Sequence, residues 1–335
     1  MIMRPPRVGE VRKSGARTIS DADIALFAAL SYDFSRLHTD HTYASQGLFG
    51  KRVGHGLLGL CLAEGLLSHC NAPRGIVFAW EWSFVGPLFA GDTMFAEATV
   101  ESIGETAAGV VAVERIEVFK EDRIKIQLGR HKLALRPDDQ HRSGWLGLAL
   151  AGPSREFKEV RVVEEDSELP TSTTSPAYAR ETGVFFEDLE IGSHYVTPGY
   201  TVGDFDASMF SGFTGECGEW FLDRSTARAA GLPDRAVAPL YGLALVEGLK
   251  YCLAPNAGAG IPIASLSWRW QQRAPLIPGQ TLRMEATVQG KRASRTKTDR
   301  GVIASRYRLI GEESGEVVQD GQHVQMFRRR AHVTD

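Results

Sequence analysis

The amino-acid sequence predicts an α+β chain made of two copies of one domain, each an antiparallel sheet wrapped around a central buried helix. Three observations carry this expectation. An internal repeat runs through the 335 residues; each copy holds one apolar segment too long for an ordinary strand; and strand-like runs separated by Gly, Asp and Pro follow that segment.

Self-similarity at a fixed offset is the signature of a duplicated unit. A shift of 183 lays Gly9 on Gly192, Thr18 on Thr201, Asp21 on Asp204, Phe27 on Phe210 and Asp40 on Asp223, and Glu64-Gly65-Leu66 on Glu247-Gly248-Leu249. After a small insertion, a shift of 188 lays PLFAGDTMFAEATV (87 to 100) on PLIPGQTLRMEATV (275 to 288) and aligns Trp80 and Trp82 with Trp268 and Trp270. Several matches in one order are not chance. They predict an N-terminal domain over 1–136, an inter-domain crossing over 137–184 and a C-terminal domain over 185–335.

Within each copy the elements follow from patterning. A short helix opens at Asp21 or Asp204, where an acidic first turn complements the helix dipole, with Ile24, Phe27 and Leu30 at helical spacing. A polar loop follows. Gly56 to Leu67, and Leu240 to Leu249 in the second copy, are apolar on nearly every side and read as a helix buried all round. Ile76 to Phe84, Thr93 to Ile103, Val110 to Phe119 and Ile124 to Leu135 then read as strands. A sheet wrapped around one buried helix is the hotdog arrangement, here in tandem. The two copies are expected to pair internally as a pseudo-dimer, with pairing between chains left open. In the crossing, ELPTSTTSPAYA reads as linker and WLGLALAG (145 to 152) as a segment packed on a domain surface.

Composition narrows the function classes. A net charge of -3 with mixed signs offers no basic stripe for nucleic acid and no polybasic membrane segment. No run reaches the ~18 apolar residues of a membrane span, and MIMRPPRVGE has no apolar signal core. The address expected is cytoplasmic. Cys61, Cys70, Cys217 and Cys252 lack CxxC spacing and read as reduced thiols, most of them in buried packing.

The chemistry-bearing stretch lies between the opening helix and the buried one, SYDFSRLHTDHTYASQGLFGKRVGHGLLG. Asp33 and His38 form a carboxylate and imidazole pair able to converge on one spot, activating water on one side and donating a proton on the other. A solvated or structural role is the competing reading. The second copy weighs against it, because Glu216 and Phe221 stand at the same places and the scaffold therefore does not require the imidazole. Asp40, matched by Asp223, reads as a cap for Thr42 to Gly47. His55 and Gly56 begin the buried helix, whose free N–H groups favour developing negative charge, whereas Ala238-Pro239 in the second copy removes a donor. His41 and His69 read as surface residues, and no metal-ligand spacing or phosphate-cradling loop is found. The alternate-residue Trp pairs read as sheet packing.

DFSRLHTD (33 to 40) resembles the D-x-N-P-x-H-x-D motif of the MaoC-like acyl dehydratases, a group that includes the (R)-specific enoyl-CoA hydratases. HGLLGL (55 to 60) and FFEDLEIG (185 to 192) are similar to other parts of that family's pattern. Ser35 stands in place of the usual Asn and Arg36 in place of Pro. The resemblance implies hydration or dehydration of an acyl thioester on CoA or an acyl carrier, without a cofactor. It implies His38 activating water for the β-carbon, Asp33 handling the α-proton and the amide near Gly56 holding the thioester oxygen. Ser35 and Arg36, in the same loop, are candidate substrate contacts, with an exposed loop arginine as the competing reading of Arg36. A hotdog thioesterase and a non-catalytic acyl-CoA binding protein are the alternative readings.

Overall fold

The structure is a computed structural model, and it describes residues 6–70, 75–106, 109–135, 184–252 and 262–330. The expected crossing, WLGLALAG included, lies outside the described residues except for Val184.

The N-terminal copy runs β1 (Val11–Lys13), β2 (Arg17–Thr18), α1 (Asp21–Ser31), α2 (Arg36–Thr39), α3 (His41–Ser45), α4 (Gly56–Ser68), β3 (Gly75–Phe84), β4 (Thr93–Thr106), β5 (Gly109–Lys120) and β6 (Ile124–Leu135). The C-terminal copy repeats this order as β7 (His194–Val196), β8 (Tyr200–Thr201), α5 (Asp204–Thr214), α6 (Glu219–Leu222), α7 (Arg224–Ala229), α8 (Leu240–Cys252), β9 (Pro262–Gln272), β10 (Thr281–Ala293), β11 (Arg300–Gly311) and β12 (Val317–Arg328). The polar loop of the sequence reading is in fact two short helices in each copy. Asp40 starts the second of them by accepting from Tyr43 N at 2.9 Å, and Asp223 does the same for Ser225 N at 2.8 Å. These single-turn helices carry too few apolar positions to announce a period.

α1 opens with a capping box: Asp23 N donates to Ser20 Oγ, and the Asp23 carboxylate accepts from Ser20 N. The strands alternate as a half-covered sheet requires, with Leu282, Met284, Ala286 and Val288 buried along β10. All the described strands join one antiparallel sheet whose main path is β1-β4-β5-β6-β3-β9-β12-β11-β10-β7. The two copies meet where β3 pairs with β9. There Trp80 faces Trp270 and Trp82 faces Trp268 across Glu81 and Arg269, a register with local two-fold symmetry.

All four Trp side chains are buried, and α4 and α8 lie beneath them in the common core. Burying four indoles at the seam stabilises it by roughly 2 kcal/mol or more apiece. Trp80 Nε1 donates to Glu64, Trp82 Nε1 to Gln127 and Trp270 Nε1 to Gln319, each at 2.9 Å. Of the described cysteine side chains only Cys61 is buried; Cys70 is half-buried and Cys217 exposed, fewer in the core than the apolar contexts suggested.

Candidate active site

α1 ends at Tyr32, a non-glycine residue at φ 64°, where the second copy has Gly215 at φ 83°. That left-handed turn is costly for a side-chain-bearing residue and redirects the chain inward at Asp33. Ser31 Oγ donates to Phe27 O at 2.7 Å and accepts from Asp33 N at 3.2 Å, fixing the next residue. The same device recurs in the second copy, where Thr214 Oγ1 bonds Phe210 O and Glu216 N.

Asp33 is 3% exposed, and its Oδ1 accepts from Ser35 N at 3.1 Å. Burial raises its carboxyl above the usual range, against the opposing pulls of His38, the Ser35 amide and Lys250. His38 Nδ1 lies 2.7 Å from Val53 O. A carbonyl can only accept, so Nδ1 carries the proton and the neutral ring keeps its lone pair on Nε2. That lone pair faces Asp33 Oδ2 at 3.9 Å. The gap is too long for a direct hydrogen bond, but a water about 2.8 Å from each atom would see them about 90° apart, a comfortable angle.

His55 packs against His38 with ring centroids 3.8 Å apart and sends Nε2–H to Asp33 O at 2.9 Å. Burial, followed by the neighbouring His38, depresses its pKa well below the ordinary value, so it stays neutral. It orients the Asp33 backbone. Ligand atoms of Asp33, His38 and His55 fall within 4.8 Å of one another, a cluster invisible in their sequence spacing.

α4 begins beside this pair. Gly56 heads the helix, where first-turn N–H groups lack intrahelical acceptors, and Gln127 Nε2 holds its carbonyl at 2.9 Å. A Cβ on Gly56 would lie 2.9 Å from the Phe84 ring. In the second copy Gln319 holds the carbonyl of Pro239, so Gly56 and Pro239 are structural equivalents. That helix start has one N–H fewer.

The resulting cavity, about 120 Å³, is lined by Asp33, Ser35, His38, His55 and Gly56 from the N-terminal copy and by Glu247, Ser265, Trp268 and Gln325 from the other. Arg36 is not among its walls. It turns outward, bonded through Nε and Nη2 to Asp40 and stacked over Tyr43 at 4.4 Å. The residues from the second copy were not foreseen. The available signals were Glu64/Glu247, an acidic residue repeated inside two mostly apolar helices, and Lys250 three residues after the second.

A second cavity, about 340 Å³, lies around Glu216 and is also lined by Arg12, Glu64, Glu114, His131 and Phe221. His131 joins Glu64 at 2.8 Å and Glu114 at 2.7 Å, and Arg12 joins Glu114 at 2.6 Å. Burial works against charge on His131, but the two carboxylates outweigh it and push its pKa up to about 10. Glu216 is half-buried, yet its Oε2 is sealed from solvent; burial and Glu64 push its carboxyl up to about 8.

The fold and the paired site define a double-hotdog protein of the MaoC-like dehydratase class. Residues 5–120 match the family model described as MaoC like domain. Residues 165–335 match the model described as Mesaconyl-CoA hydratase. That match spans just over half of the chain, and the chain belongs to this family.

Among curated relatives, an (R)-specific enoyl-CoA hydratase of Aeromonas caviae is 38% identical over 85 residues, covering 25% of this chain and 63% of that protein. One of Rhodospirillum rubrum is 35% identical over 89 residues, covering 26% and 62%. The chain thus spans somewhat less than two thirds of the length of these relatives. Among solved structures, a MaoC domain protein dehydratase from Chloroflexus aurantiacus superposes with a TM-score of 0.76 at 17% identity, over 97% of this chain and 96% of that one. A Mycobacterium tuberculosis protein with a double hotdog fold gives 0.70 at 18% identity, over 96% and 97%. These likenesses show the fold, as the sequence reading expected. Among the described residues no helix is long and apolar enough to cross a membrane.

Proposed function

We propose that the chain hydrates 2-enoyl-CoA thioesters to 3-hydroxyacyl-CoA, or runs the reverse dehydration, with Asp33 and His38 as the catalytic residues and no cofactor. The observation that carries the reading is the His38 Nε2 lone pair, fixed by Val53 O, facing the buried Asp33 carboxyl across 3.9 Å beside a helix N-terminus. The relatives named (R)-specific enoyl-CoA hydratase support it, and the Mesaconyl-CoA hydratase model makes mesaconyl-CoA the first substrate to try. A 120 Å³ cavity accords with a short acyl group.

In this scheme water lies between His38 Nε2 and Asp33 Oδ2. Nε2 takes one water proton as the oxygen bonds to the β-carbon. The carbon–carbon π electrons move toward the thioester, whose oxygen is held as an enolate by the Gly56 amide; removing such a donor costs about 3 kcal/mol in comparable sites. Protonated Asp33, favoured by burial, then supplies the α-proton. His38 ends protonated and Asp33 ionised, and proton exchange resets them. Ser35 lines the pocket and contacts the acyl group, whereas Arg36 is held on the surface by Asp40.

The test is incubation of the purified protein with mesaconyl-CoA and a panel of 2-enoyl-CoA thioesters, following enoyl absorbance and free thiol together. Loss of absorbance without thiol, reduced at least a thousandfold in Asp33→Asn, is the expected result. Thiol release refutes hydration in favour of thioester hydrolysis, and ligand binding without turnover indicates a binding protein.

A further inference from the structure

Asp33 lies where the two copies meet, and α8 of the C-terminal copy comes directly against it. Gly248 packs so close that a Cβ there would lie 1.8 Å from Ser31 O and 2.7 Å from Asp33 N. One residue earlier, Glu247 lines the same cavity as Asp33. Beneath it Lys250, 1% exposed, donates to Glu247 Oε2 at 2.8 Å and to His323 Nδ1 at 3.1 Å. With Nδ1 accepting, the proton of His323 is on Nε2, which donates to Ser265 Oγ at 2.7 Å. His323 is neutral because burial, then Lys250, depresses its pKa well below the usual value.

A fully buried ammonium is costly unless paired, so the scaffold has a physical reason to avoid one here. In the other copy the position equivalent to Lys250 is Leu67, which is buried without any charge. The helix therefore does not need the cation to fold. What differs between the positions is the neighbour: α8 faces Asp33 and α4 faces Glu216.

We propose that Glu247 and Lys250 are positioning residues for the reaction at Asp33 and His38, an ion pair delivered by the C-terminal copy that sets the charge around the catalytic pair. The inference rests on the hydratase reading. The groups acting on Asp33 are the imidazole of His38, the neutral His55 at the head of α4, the Ser35 amide and, from α8, Glu247 in the shared cavity and Lys250 behind it, bonded to Glu247. Tyr307 of β11 and His323 of β12 face Lys250 from the sheet side, the Tyr307 ring at 4.9 Å. Lys250 favours ionised Asp33, while the two carboxyls, Glu247 and Asp33, oppose each other's ionisation. The balance lets Asp33 be buried without either permanent protonation or permanent charge.

The experiment is the pH profile of kcat/KM for the full chain as wild type, Lys250→Met, Glu247→Gln and the double variant, on whichever enoyl-CoA the wild type turns over. Removing the cation moves the profile to higher pH by about one unit, and removing the anion moves it to lower pH by about one unit, the size expected of a nearby charge. The double variant, neutral again, returns close to the wild-type position. A purely structural role predicts lower rates without opposed shifts, and that result overturns the proposal. Should Lys250→Met not fold, an unshifted profile in the nearly isosteric Glu247→Gln overturns it equally. Turnover by wild type with unshifted variants refutes the ion-pair role alone. Absence of turnover on every enoyl-CoA refutes the hydratase reading and this proposal with it.

Discussion

Replacing Gly248 by alanine tests whether the C-terminal copy fixes the geometry of Asp33. The added Cβ would meet Ser31 O at 1.8 Å, Tyr32 C at 2.5 Å and Asp33 N at 2.7 Å, all backbone atoms with no flexible end to swing aside. Reaching ordinary van der Waals contact takes roughly 1.5 Å of movement, shared between α8 and the chain carrying Asp33. A displacement of about 1 Å at a reacting group is worth about a hundredfold in rate, or about 2.7 kcal/mol. The steric insertion itself costs about 1–3 kcal/mol of stability. Gly65→Ala is the matched control, because its Cβ would meet Thr214 O at the same 1.8 Å on the Glu216 side. Both variants should lose similar stability by urea unfolding, while kcat on the preferred enoyl-CoA falls about a hundredfold only in Gly248→Ala. Equal losses of kcat in the two, or a Gly248→Ala enzyme within threefold of wild type, would refute the reasoning.

Two further outcomes concern the second cavity. Glu114→Gln weakens the ion pairs to Arg12 and His131, and unfolding free energy at pH 6 should fall by about 3 kcal/mol. His131 titrates near 10 in the folded chain against 6.5 for the free side chain, so its network stabilises fully below pH 6.5 and fades as pH rises through about 10. The gap between wild type and Glu114→Gln in urea titrations should accordingly narrow toward pH 10, the Arg12 pair keeping a remainder, and a constant gap refutes the assignment. Glu216 has the opposite sense: a carboxyl raised from 4.5 to about 8 destabilises the fold progressively above pH 4.5. Glu216→Gln should therefore raise the melting temperature by about 3 °C at pH 8 and leave it unchanged at pH 4.5, as calorimetry at both pH values will show.

Much of this fold was legible because the duplication supplied its own control. Residues that recur, such as Asp40 with Asp223 or the Trp pairs, turned out to cap helices and build the seam, as a shared structural task requires. Residues that do not recur, His38 and Gly56 against Phe221 and Pro239, fall at the candidate site. The short helices α2 and α3 were missed because one turn carries no readable period. The contribution of Glu247, Lys250 and Ser265 was hidden for a different reason: they lie more than 200 residues from Asp33 in sequence and come near it through the pairing of β3 with β9 and the packing of α8 on the end of α1. The His55 contact was likewise unreadable, since its ring bonds a backbone carbonyl rather than a side chain.

The two copies also differ in how they handle buried charge, and the difference follows from what each must do. On the α4 side, Glu64, His131, Glu114 and Arg12 form a closed chain in which every charge has a counter-charge. Such a chain holds its protons tightly and is poorly suited to give one up at neutral pH. On the α8 side the sheet histidine, His323, is neutral, its cation is replaced by Lys250 on the helix, and Ser305 takes the place of Glu114. That exchange moves positive charge from the sheet to helix α8 and removes one carboxylate that would have paired with it. Asp33 then meets a cation already shared with Glu247, close enough to permit ionisation and too committed to enforce it. In the proposed reaction Asp33 must release and regain a proton in each turnover, which requires that intermediate condition, and the copy without a counterpart of His38 is the one that supplies the cation.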